Sequence, residues 1–130
     1  MRRPFLTFLL FSVLAFSATA GVVINEVQSS NDLTPVTDDV GEAMDWVELY
    51  NNGGEAVSIE GWGLSDKVAK DPFKFTFPTG VSIAAGEHLV VICDKVAKSK
   101  DHYVTGFSLG ADGETLTLTD ADTNKVDEIT

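Results

Sequence analysis

The sequence predicts an all-β protein built as an antiparallel β-sandwich, and three observations predict it. Apolar and polar residues alternate with a period of two along most of the chain, turn residues break that alternation at short intervals, and no interval holds a convincing amphipathic helix. Strands that follow one another without alternating helices do not build a parallel sheet. They pair antiparallel and stack as two sheets over one core.

The chain opens on something other than a strand. Arg2 and Arg3 form a positive start, residues 5–16 are an uncharged run rich in Phe and Leu, and Ala18-Thr19-Ala20 is an A-x-A site ahead of Gly21. That order marks residues 1–20 as a cleaved secretory signal peptide, leaving residues 21–130 as one mature domain. The uncharged stretch extends to Ile24, close to the length of a spanning helix. However, Gly21-Val22-Val23-Ile24-Asn25-Glu26-Val27 is β-branched and reads better as the first strand. No transmembrane segment is then expected after cleavage, and the protein is expected outside the cell or on its surface.

The strands expected after that first one, over residues 22–27, can be taken in order. Residues 45–50 place Trp46, Glu48 and Tyr50 on one face and close on the turn Asn51-Asn52-Gly53-Gly54. Shorter strands are expected at residues 56–59 and 62–65. In the second of these, Trp62 stands between two glycines that allow close backbone approach, as a bulky core anchor. Residues 73–77 direct Phe73, Phe75 and Phe77 to the core and Lys74 and Thr76 to solvent. Turn chemistry at Pro78, Gly80 and Gly86 leads to the apolar strand 88–93. Residues 107–109, 115–119 and 125–129 complete the set, and in 115–119 Leu116 and Leu118 face the core while the threonines face solvent. Residues 95–100, rich in lysine, suit an exposed loop. The one long irregular segment, residues 29–44, carries Asp32, Asp38, Asp39 and Glu42 with the breakers Pro35 and Gly41.

Composition narrows the partners. The 130-residue chain carries a net charge of −11, and removal of residues 1–20 takes away both arginines and no acid, leaving seven lysines against twenty acidic residues, a net −13. Nucleic acids and anionic membranes bind through cationic side chains, so no nucleic acid partner is expected. Cys93 is the only cysteine, so no internal disulfide can form and stability must come from the core, where Cys93 itself reads as a small buried hydrophobe. A domain of this size buries about two-thirds of its unfolded surface, which suffices.

The order and spacing of several segments resemble the lamin-tail domain. These are Val23-Ile24-Asn25-Glu26-Val27, Asp45-Trp46-Val47-Glu48-Leu49-Tyr50-Asn51, Gly61-Trp62-Gly63-Leu64-Ser65-Asp66, Phe77-Pro78 with Ile83-Ala84-Ala85-Gly86, and Gly113-Glu114-Thr115-Leu116 with Val126-Asp127. The resemblance covers essentially all of residues 22–130. It implies an immunoglobulin-like antiparallel β-sandwich without catalytic residues, of a kind found at the ends of nuclear lamins and in secreted bacterial proteins. The acidic loop and the signal peptide look most like the bacterial secreted type, in which the domain is often appended to others, including nucleases, phosphoesterases and kinases. The bacterial pattern continues with a further strand beyond Val126-Asp127, so the chain is expected to be a fragment truncated at its C-terminus.

Three functions are compatible with these residues. The first is a secreted, non-catalytic binding or structural module that contacts a partner protein or positions a neighbouring domain. The second is calcium binding through the loop of residues 32–45, where Asp38, Asp39, Glu42 and Asp45 offer the hard oxygen ligands calcium prefers, although the spacing is not that of an EF-hand. The third is a hydrolase using Glu26 and Glu48 as paired carboxylates. His88 and His102, the only histidines, have no zinc-site spacing, and neither a G-x-S-x-G elbow nor a phosphate loop occurs. No catalytic residue is therefore expected, and no cofactor other than the calcium of the second reading.

Overall fold

A computed structural model describes residues 21–30, 36–110 and 113–130. The expected signal peptide, and Asp32 and Pro35 of the acidic segment, lie outside the described residues. Among the described residues ten strands occur in the order β1 (Val22–Gln28), β2 (Trp46–Asn51), β3 (Val57–Ser58), β4 (Gly63–Ser65), β5 (Phe75–Thr76), β6 (Ser82–Ile83), β7 (His88–Ile92), β8 (Tyr103–Val104), β9 (Leu116–Thr119) and β10 (Lys125–Ile129). They form two four-stranded sheets, β1-β2-β7-β8 and β10-β9-β4-β5, with a small β3-β6 ribbon. No described helix is long and apolar enough to cross a membrane.

Period-two alternation builds the core between the two sheets. Val47 and Leu49 of β2 point inward and are fully buried, as are Leu64 of β4 and Leu118 of β9, with Val91 and Phe77 beside them. In the second sheet both faces are covered. Leu64 pairs with Leu118 on the core side, while Ser65 and Thr117 pair on the other side and are also buried. The expectation that this face of residues 115–119 meets solvent is thus corrected. The chain after β4 folds back at Pro72 and Phe73 against Gly63, where an added Cβ would collide with the Pro72 carbonyl oxygen and lie 2.6 Å from Phe73 Cδ1. Glycine at this position allows the close approach that the Trp62 segment predicts.

One expected strand is not formed, and two further strands, β6 and β8, are present. The strand at residues 107–109 is absent because Thr105 Oγ1 donates to the Phe107 carbonyl oxygen at 2.7 Å and accepts from Phe107 N at 3.2 Å, which satisfies that backbone locally instead of in a ladder. Phe107 still enters the core. Strand β8 pairs with β7 in parallel, the one departure from antiparallel order among the pairings of the two sheets. Parallel pairing needs a long return, and residues 93–102 supply it. The ribbon strand β6 was also too short to read from alternation.

The edges of the sandwich are tied differently. On one side both edge strands carry a bulge, between Ile24 and Glu26 in β1 and between Lys125 and Asp127 in β10. Asp127 Oδ2 crosses that seam to accept Ile24 N at 2.7 Å. On the other side an aromatic trio joins β5 to β8: Phe77 meets Phe75 edge-on at 5.0 Å between centroids and Tyr103 edge-on at 6.1 Å.

Phe77 is 1% exposed, whereas Phe75 is half-buried and packs on the rim of the core. Phe77→Ala is therefore expected to cost about 3–5 kcal/mol in denaturant unfolding and Phe75→Ala clearly less. Gly63→Ala is expected to destabilise by about 1–3 kcal/mol through overpacking. Equal costs for the two phenylalanines, or a neutral Gly63→Ala, would contradict this packing.

Candidate functional site

The residues that carry chemistry lie in three places: the outer face of the first sheet, the acidic segment and the buried thiol. On the outer face, alternation in β2 places Trp46, Glu48 and Tyr50 together, as expected. Trp46 lies opposite Ile92, which is fully buried although it faces away from the core, so the flanking segments cover that end. The other end stays open. There His88 stacks on Tyr50 with centroids 4.4 Å apart and planes 21° from parallel. Glu48 Oε1 lies 4.0 Å from His88 Nε2.

The register also places Glu26 of β1 directly across from Glu48, so the two carboxylates singled out in the sequence are brought together. Like charges in a cross-strand pair repel. The bulge at Asn25 answers this by turning an extra side chain outward, and Asn25 Nδ2 donates to Glu48 Oε1 at 2.8 Å. Asn25 escaped sequence reasoning because an alternation pattern does not reveal a bulge. The cluster can accept hydrogen bonds on a polar, partly aromatic surface, and Glu48 is engaged in holding β1 to β2.

The acidic segment is a tight loop. Asp38 Oδ1 accepts Val40 N at 3.0 Å and Glu42 N at 2.9 Å, and Asp38 N donates back to the Glu42 carbonyl oxygen at 3.0 Å. Asp39 turns elsewhere: its Oδ1 accepts Lys100 N at 2.8 Å, and its N donates to the Lys98 carbonyl oxygen at 2.9 Å. The Asp45 carbonyl oxygen accepts Cys93 N at 2.8 Å at the start of β2. Asp38 and Asp39 thus serve the backbone of two loops. Among the described residues, no three His, Cys, Asp or Glu side chains gather in an arrangement that could hold a metal ion.

One fully buried polar side chain reads from the sequence only as part of a turn. Asn51, fully buried at the end of β2, donates from Nδ2 to the carbonyl oxygens of Glu55 and Ile83, both at 2.8 Å, and its Oδ1 accepts Gly53 N at 2.9 Å. Its own N donates to the Glu87 carbonyl oxygen, and its carbonyl oxygen accepts Gly86 N. The turn reading finds Gly53; the long-range partners have no signal in local sequence.

Cys93 is 1% exposed, and burial pushes its thiol up from 9.0 to about 12. The neutral thiol is inert as a nucleophile at physiological pH. Because the folded pKa is raised, the folded form keeps a proton that the unfolded chain releases above pH 9, so stability is intact below that pH and falls toward pH 12. The slope approaches about 1.4 kcal/mol per pH unit. Unfolding titrations of the parent and Cys93→Ala across this window are expected to diverge, the parent losing stability faster; parallel curves would show that the thiol is not held neutral.

The fold is all-β, its Cys93 sulfur is buried, and the Glu48, Asp38 and Asp39 carboxylates bind its own backbone and side chains. No curated protein matches the sequence. The family described as Lamin Tail Domain matches residues 15–130, which spans nearly the whole chain and agrees with the immunoglobulin-like sandwich, so this chain belongs to the lamin tail domain family.

Proposed function

We propose that residues 21–130 act as a secreted, non-catalytic module that contacts a partner protein, or positions a neighbouring domain, outside the cell or on its surface. The family is one of immunoglobulin-like structural and interaction domains, which supports the general reading. The observation that carries it in this chain is the employment of its reactive groups. Glu48 accepts from Asn25 across the β1 bulge, Asp38 and Asp39 hold loop backbone, and the Cys93 thiol is kept neutral. Side chains committed to the scaffold in this way support a recognition surface more than a reacting centre. The net charge of −13 after signal removal favours a basic protein surface as partner and disfavours nucleic acid.

Expression of the full chain with export tests both halves of this proposal. Intact mass of the protein in the medium is expected to correspond to a start at Gly21. The same material, with Glu48→Gln as control, is expected to show the same background in a broad glycosidase and esterase screen. A retained N-terminus contradicts secretion, and turnover that Glu48→Gln abolishes contradicts a non-catalytic role.

A further inference from the structure

Large hydrophobic side chains are exposed at three described positions, and two of them share one groove. Val40 is 80% and Val96 84% exposed, whereas Val68 is only 36% exposed. Val40 and Val96 both line a cavity of about 370 Å³ between residues 38–44 and 94–98, together with Met44. A single exposed valine needs no explanation, but two nearly full ones flanking a common depression on separate loops form an apolar patch.

Both valines are held outward by the same local device. The Asp38 carboxylate accepts Val40 N, and Asp94 Oδ2 accepts Val96 N at 2.8 Å and Ala97 N at 2.7 Å. The two loops are then fastened to each other by the Asp39 hydrogen bonds to Lys98 and Lys100. The groove is therefore built before any ligand arrives, which lowers the ordering cost of binding.

Charge decides what fits. Asp38, Asp39, Glu42 and Asp94 line the groove, and Lys98 is the only cation among its lining residues. A second copy of this acidic chain would be repelled. We propose that the groove between Val40 and Val96 is a docking site for an extended segment of a partner protein that presents an apolar side chain flanked by lysine or arginine. The apolar side chain settles between the two valines, and the cations meet the acidic rim. The proposal rests on the interaction-module reading and names the surface and the chemistry of the partner.

The probe is an extended peptide alternating lysine with leucine, added to isotope-labelled protein and followed by backbone amide chemical shifts. Peptides with serine for leucine, and with glutamate for lysine, serve as controls. Shifts are expected at Val40, Glu42 and residues 94–98, weaker with the serine peptide and absent with the glutamate peptide. The Val40→Ser, Val96→Ser double variant is expected to keep its melting temperature and to bind about tenfold more weakly or worse, as the loss of two buried valine contacts requires. The groove proposal is overturned by no binding at millimolar peptide, by shifts mapping elsewhere, by equal binding of the serine peptide, or by parent-like binding of the double variant. Shifts elsewhere would leave the interaction-module reading standing, because that reading fails only in the export and turnover experiment.

Discussion

The structure depends most on one buried amide. Asn51 has every polar atom of its side chain and backbone engaged, and its partners belong to three different pieces of chain: Gly53 and Glu55 in the loop after β2, Ile83 in β6, and the turn that starts β7. A polar group with no solvent access costs free energy unless it is satisfied. Satisfied three times over, it fixes where the β3-β6 ribbon sits against the first sheet and where β7 begins. The Asn52 side chain extends the arrangement by accepting Gly21 N at 2.8 Å, which anchors the start of β1 at the same end.

With that end fixed, the two sheets need only be closed along their sides. The Asp127 bond to Ile24 N does this at the bulged edge, and the Phe75, Phe77 and Tyr103 rings do it at the other. A bulge twists an edge strand and spoils it as a template for further pairing, while an inward-turned carboxylate occupies an otherwise open donor. Both devices leave the exposed surface to loops and to the outer sheet face. The acidic loop, the 94–100 loop and the Glu48-Tyr50-His88 surface thus stand on a sandwich support, as the proposed recognition role requires.

Much of this was legible in the sequence, for identifiable reasons. Alternation at Val47, Glu48, Leu49 and Tyr50 assigns both faces of β2, Phe77 and Phe75 take the inward side as read whereas Phe73 falls in the turn before β5 and outside the core, and residues 125–129 form a strand as read. Alternation reports which face is apolar, so it succeeds where one face is buried. It misled at residues 115–119, where Thr117 and Thr119 are buried too, because small hydroxyl side chains look like a solvent face. At Phe107 a side-chain hydroxyl took over the role of a ladder. The site was less legible than the fold: Glu26 and Glu48 could be named but not their bulge, Asn51 could be named but not its distant partners, and the exposure of Val40 and Val96 comes from turns set by Asp38 and Asp94.

Asn51→Asp offers the most direct trial of the central claim, since it keeps the shape of the side chain and replaces two donors by an acceptor facing the carbonyls of Glu55 and Ile83. Chemical denaturation at neutral pH should show a loss of more than about 3 kcal/mol, because a buried carboxylate would face carbonyl oxygens without compensation. Part of that loss should return at acid pH relative to the parent, as the carboxyl group becomes neutral and regains one donor. A change of less than about 1 kcal/mol at neutral pH, within the worth of an ordinary hydrogen bond, would mean that the amide of Asn51 is not what holds this end of the sandwich together.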